Sequence, residues 1–192
     1  MMTVGVGKGR LQKVAKVLVA AVALVVSCGV FTSCAFEGGN ISGVLRPVDG
    51  RDVAFTCVVP NYSMTEPMTL ISAQLIGAVG LELVEVSTVS FDYQIGIGQP
   101  IPPKPTDCDD GNIGDCVANW AKRVPLAESV VPPDDALQMV LVVRPTSDEP
   151  CVHARGVATT YKQGWWKHTD RGCMQMVVRS GDFGSCDHVF DR

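Results

Sequence analysis

The sequence predicts a mainly β protein: a single antiparallel β-sandwich over residues 51–192, behind a signal or anchor segment (1–33) and a tether (34–50). Three observations predict it: about seven short runs are alternating or continuously apolar, Gly and Pro turns separate them, and helix signals are scarce. "RDVAFTCVVP" (51–60) reads as a buried strand closed by Pro60. "PMTLISAQLIG" alternates, with Met68, Leu70, Ser72, Gln74 and Ile76 on one face and Thr69, Ile71, Ala73 and Leu75 on the other, the period of two that a strand demands. After the Gly77 to Gly80 turn, "LELVEVSTVSF" sets Leu81, Leu83 and Glu85 against Glu82, Val84 and Val86. "DCVANWAKRVPL" supplies two helical turns from Asp115 until Pro125 stops them. "ALQMVLVVRP" is a continuous apolar strand entered from the turn signal "PPDD". "VHARGVATTY" and "WWKHTDRGCMQMVV" flank Lys162, Gln163 and Gly164 and read as a hairpin, with Gly164 at a positive φ.

Residues 1–33 contain Lys8, Arg10, Lys13 and Lys16, no acid, and ten uninterrupted apolar residues from Val17 to Val26, followed by Ser27, Cys28 and Gly29. That charged, apolar, small order is the order of an export signal. A spanning helix needs about 20 mostly apolar residues, so a single-pass anchor is the competing reading. Val25, Val26, Ser27, Cys28 and Phe31, Thr32, Ser33, Cys34 each place a small residue before a cysteine. This pattern resembles a bacterial lipoprotein signal, which implies a diacylglyceryl and palmitate anchor on the cysteine and cleavage before it. The first match is the better one, because Phe31 stands where Leu or Val is usual. Parity favours Cys34, since without Cys28 and Cys34 six cysteines remain to pair in an oxidising compartment: Cys57, Cys108, Cys116, Cys151, Cys173 and Cys186. An N-terminal "GVGKG" has neither the preceding strand nor the following helix of a phosphate loop.

The leader holds four of the 16 bases and none of the 20 acids, so beyond it 12 bases face 20 acids, a net −8. Phosphate backbones demand the opposite field, so nucleic acid is excluded as a partner class. An anionic membrane surface would repel the domain as a whole, which leaves an N-terminal lipid or signal anchor as the means of holding a membrane. An envelope protein or glycan is the expected ligand class, and no motif calls for a cofactor.

"MTLISAQLIGAVGLELVEV" and "ARGVATTYKQGWW" resemble strands of the immunoglobulin-like sandwich modules found in exported proteins of high-GC Gram-positive bacteria. The resemblance covers about a third of the mature chain and implies an Ig-like fold. It implies no shared activity.

"TDCDDGNIGDC" gathers Asp107, Asp109, Asp110 and Asp115 around Cys108 and Cys116, an oxygen-rich loop of the sort hard cations such as Ca²⁺ use. Its glycine falls at the fifth position from Asp107, where an EF-hand loop needs the sixth, and a solvated loop closed by a local disulfide is the alternative. "CVH" (151–153) and "CDH" (186–188) hold zinc- or copper-type donors, against which stands the use of cysteines for disulfides outside the cytoplasm. The expected pairing of the remainder is Cys151 with Cys173, on facing hairpin arms, and Cys57 with Cys186. There is no Cys-x-x-Cys and no Gly-x-Ser-x-Gly, and His153, His168 and His188 are the only candidate bases, so no enzyme is expected. Trp165 and Trp166 are adjacent on a strand, so one points outward if the other points in. Beside Tyr161 and His168, an exposed ring suits stacking on a sugar or gripping a protein, and an amphipathic ring that merely covers a sheet edge is the competing, commoner reading.

Overall fold

The computed structural model describes residues 41–93, 95–108, 116–172, 174–181 and 186. Cys28, Cys34, Asp109, Asp110, Asp115, Cys173 and His188 lie outside them, as does the leader. The strands are β1 (Ile41–Leu45), β2 (Asp52–Asn61), β3 (Met68–Ile76), β4 (Leu81–Val89), β5 (Gln99–Ile101), β6 (Val124–Pro125), β7 (Val130–Val131), β8 (Asp135–Pro145), β9 (Cys151–Ala154), β10 (Gly156–Gln163), β11 (Trp166–Gly172) and β12 (Gln175–Arg179). Among the described residues one short α-helix, α1, spans Cys116–Trp120. β1 lies inside the segment expected to be tether, so the fold begins earlier than the composition suggests.

Sheet orders are β5-β2-β8-β4-β6, β11-β10-β3-β7 and β1-β12-β9. Only Arg155 separates β9 from β10, and only residues 173 and 174 separate β11 from β12, so the hairpin β10–β11 continues directly into the pair β9–β12. In chain order β2, β3, β4, β8, β10 and β11 occupy the B, C, D, E, F and G positions of an immunoglobulin-type sandwich: β8 lies between β2 and β4, and β10 between β3 and β11. The expected Ig-like β-sandwich is therefore the observed fold. β1 departs from a purely antiparallel scheme, running parallel to β12.

The main core forms where Val53 and Phe55 of β2 and Met139, Leu141 and Val143 of β8 meet Met68 and Leu70 of β3, Val157 of β10 and Met176 and Val178 of β12. β8 is continuously apolar and buried from Met139 to Val143 because its other face is covered too. Val140 and Val142, with Ala54, pack under Val89, Ile95, Ile101 and Trp120. The long β4–β6 connection that provides this cover is tied down at Gln138, whose amide accepts from the Ile95 N–H and donates to the Ile95 carbonyl, each at 3.0 Å. Arg123 stacks over the Trp120 ring, 3.3 Å from its centroid, and pairs with Glu85 of β4.

Two irregularities overturn the simple alternation read from sequence. Against β10, Ser72 pairs with Thr160 and Leu70 with Tyr161, leaving Ile71 without a partner. The inward set is therefore Met68 and Leu70, then Ala73 and Leu75. In β4, Leu83 pairs with Val143 and Glu85 with Val142, so Val84 is skipped and Val86 turns inward. One extra residue flips every side chain after it to the other face.

Candidate functional site at the loop end

The β10–β11 hairpin closes through a two-residue loop, Gly164 and Trp165, with Gln163 paired to Trp166. Gly164 has φ of +55°, as the first position of a type II′ turn requires and as the sequence predicts. Neither tryptophan points into the core: Trp165 sits in the turn and Trp166 begins β11, a sheet-edge strand exposed at all seven residues. Trp165 is 94% exposed and Trp166 74%.

The β2–β3 connection comes to the same end and brings two side chains that sequence reasoning missed, Tyr62 at 58% and Met64 at 73% exposure. Their signal was the loop "NYSMTEP", in which large apolar residues follow a strand that had already ended. In an immunoglobulin-type sandwich, the B–C and F–G connections that these two loops represent share one end, the end antibodies use for recognition.

Asn61, almost fully buried, holds this end together. Its amide N–H groups serve the Glu66, Val131 and Pro132 carbonyls at 2.9, 3.1 and 3.0 Å. Its Oδ1 accepts from the Ser63 N–H at 3.0 Å and the Gln163 side chain at 2.8 Å. One side chain thus joins the β2–β3 loop, the β7–β8 connection and the tip of β10. Asn61→Ala would strand several of these buried or half-buried groups, each worth about 1 kcal/mol or more. The expected loss is about 3 kcal/mol in urea unfolding, with faster amide exchange at Ser63 and Val131.

Behind the tip, Tyr161 stacks on His168 with ring centroids 5.2 Å apart. Burial, reinforced by a hydrogen bond to Asp170, pushes the Tyr161 phenol up to about 12. Lys162 lies directly opposite Lys167 on the hairpin, a like-charge pair that costs stability.

The other predicted positions have different roles. Asp107 accepts two hydrogen bonds from Arg51, at 2.6 and 3.2 Å, and one from the Lys104 N–H at 2.6 Å. Its carboxylate secures the segment before Cys108 to the start of β2, and among the described residues no group of three metal-binding side chains occurs. The Arg51 bonds first, then the Lys104 amide, hold the Asp107 carboxyl at about 2. Because that lies below the usual carboxylate range, folding favours the ionised form. The resulting stability is full above the ordinary value of 3.8 and fades as pH falls toward about 2. Unfolding midpoints measured between about pH 4 and pH 2 should fall more steeply for the native chain than for Asp107→Asn.

Cys108 and Cys116 are disulfide-bonded, as the local-loop reading expects. The rest of the expected pairing is wrong: Cys151 bonds Cys186, and Cys57 is a free thiol. In the hairpin register Cys151 stands opposite Arg179, whereas Gly172, next to Cys173, stands opposite Val157, six residues along from Cys151. Cys57 points into the core beside β8, and burial pushes its thiol up to about 12. With Cys151 and Cys186 bonded to each other, neither Cys-x-His unit offers a thiolate. With Cys57 unpaired, cysteine parity no longer favours Cys34 over Cys28. Two disulfides, one of them buried at both cysteines, indicate an oxidising, extracytoplasmic setting for the domain. Among the described residues no helix is long and apolar enough to cross a membrane. No protein-family model matches the chain, and no curated protein sequence matches it.

Proposed function

We propose that the chain is an exported cell-envelope protein, held at the membrane by a lipid on Cys34 or Cys28, whose immunoglobulin-type domain is a non-enzymatic binding module. The observation that carries this reading is the loop end. Four large apolar side chains, Tyr62, Met64, Trp165 and Trp166, stand exposed on connections that Asn61 fixes from within. Exposed tryptophan and tyrosine on rigid supports offer large contact area at small ordering cost, the composition of recognition loops.

The anchor is checked by intact mass of the membrane-extracted protein, which should carry a diacylglyceryl group on a chain that begins at Cys34 or Cys28. For the binding surface, the purified full chain is titrated against isolated membrane lipid, wall glycan and envelope protein. Saturable binding to one fraction, weakened about tenfold or more in the Trp165→Ala, Trp166→Ala double variant, is the expected result. Equal binding by the double variant to every fraction would remove the loop end as the contact surface.

A further inference from the structure

We infer that the β10–β11 hairpin tip seats in the headgroup layer of a phospholipid bilayer, so that the domain lies against the membrane that anchors it. The inference rests on the proposed N-terminal anchor and deepens the binding-module reading by naming its partner.

Chain direction is the first argument. β10 runs toward the tip, and β11 and then β12 run away from it. β1 lies parallel to β12, with Ile41 opposite Gln175, so the chain enters β1 from the tip side. β1 also occupies the edge of β12 that continues the free edge of β11, because β9 lies on the other side. From Gln175 back to Trp166 is nine residues, at most about 30 Å of strand. From Ile41 back to Cys34 is seven residues, which reach about 24 Å when extended. A fully extended tether is therefore long enough to let a lipid on Cys34 approach within about 6 Å of the level of Trp166, and a lipid on Cys28 has six more residues of reach. Tether length and the entry side of β1 together permit the lipid and the tip to share one plane.

Side-chain chemistry is the second. Two adjacent tryptophans project from a rigid turn, and Lys162 and Lys167 flank them one step behind. Indole rings prefer the membrane–water interface, where an apolar body and an N–H are both satisfied. Lysines at that depth meet lipid phosphates, which relieves the repulsion between them that the free hairpin carries. Neither lysine forms an ion pair within the described residues. The acids at this end are Glu66, whose carboxylate lies beside Gly164, and Asp134 and Asp135, where the chain enters β8. They belong to the neighbouring connections, which makes the hairpin, and not the whole end, the part that enters. The domain's net negative charge keeps the rest of its surface off the bilayer.

The test uses the full lipidated chain with Trp120→Phe, so that Trp165 and Trp166 alone report, reconstituted into phospholipid vesicles with and without bromine-labelled acyl chains. Flotation measures the anchor and fluorescence measures the tip. Flotation with a blue-shifted emission and about a twofold loss of intensity on brominated lipid is expected, and Lys162→Glu with Lys167→Glu should abolish most of that loss. A chain that floats while its emission stays at the water-exposed wavelength, unquenched, overturns the membrane seat and leaves the anchor standing. Wall-glycan or protein binding by that unquenched chain would assign the loop end to that ligand instead. A chain that fails to float overturns the anchor and the seat together.

Discussion

Phe55→Ala is expected to destabilise the domain by about 4 kcal/mol, read as a lower urea midpoint at unchanged slope. Phe55 is completely buried at the middle of β2, directly opposite Leu141 of β8, in the plane where the two layers meet. Truncation removes the ring's transfer free energy and leaves a cavity that two hydrogen-bonded strands cannot close by moving together. Neighbours on three other strands, Leu70, Val152 and Met176, are equally buried and already occupy the layer facing it. Phe55→Leu, which keeps most of the volume, should recover more than half of the loss. If Phe55→Ala shifted the midpoint by less than the equivalent of about 1 kcal/mol, the core would be far softer than its packing implies.

The strands legible in the sequence were those whose signal does not depend on phase. β8 announced itself as a continuous apolar run, and the hairpin turn by its glycine. β3 and β4 are legible as strands, yet simple alternation places the residues beyond Ile71 and Val84 on the wrong faces, since a skipped residue leaves no mark in composition. β1 was hidden in a Gly-rich stretch because its pairing partner, β12, is more than 130 residues away and a parallel edge needs no alternation. The cysteine pairing failed for a related reason. Facing arms of a hairpin make a poor guide when the register sets Cys151 against Arg179.

At the candidate site the two tryptophans were legible from their type alone, whereas Tyr62 and Met64 required knowing that the β2–β3 connection ends beside the hairpin. Asn61 was invisible for a deeper reason. An asparagine at the end of a strand ordinarily signals a turn, and only three converging loops turn its amide into an organising group. Asn61 also shows why the loop end stays in place without the B–F disulfide of antibody domains. Cys57 sits on the B-position strand, but β10, in the F position, carries no cysteine to meet it.

The bond that is present, Cys151–Cys186, should be worth more. It closes a 35-residue loop that contains β9 to β12, hence the whole hairpin, and the chain-entropy relation gives about 4 kcal/mol for that length. Cys108–Cys116, separated by eight residues, should contribute about 2.5 kcal/mol by the same relation. Packing points the same way: Cys151 and Cys186 are buried with Val177, so losing the bond also uncovers an apolar patch on the outer side of β12. Serine pairs at the two positions, compared by urea unfolding, should therefore rank with Cys151→Ser, Cys186→Ser the weaker fold by about 1 kcal/mol or more. The Cys57 thiol provides a probe. Cys57, its ionisation suppressed by burial, should resist alkylation in the native fold and react on unfolding, so its labelling rate follows the opening of the core. Equal midpoints for both serine pairs, or Cys57 labelling unchanged between native protein and the Cys151→Ser, Cys186→Ser variant near its midpoint, would show that the 35-residue loop is held by strand pairing alone.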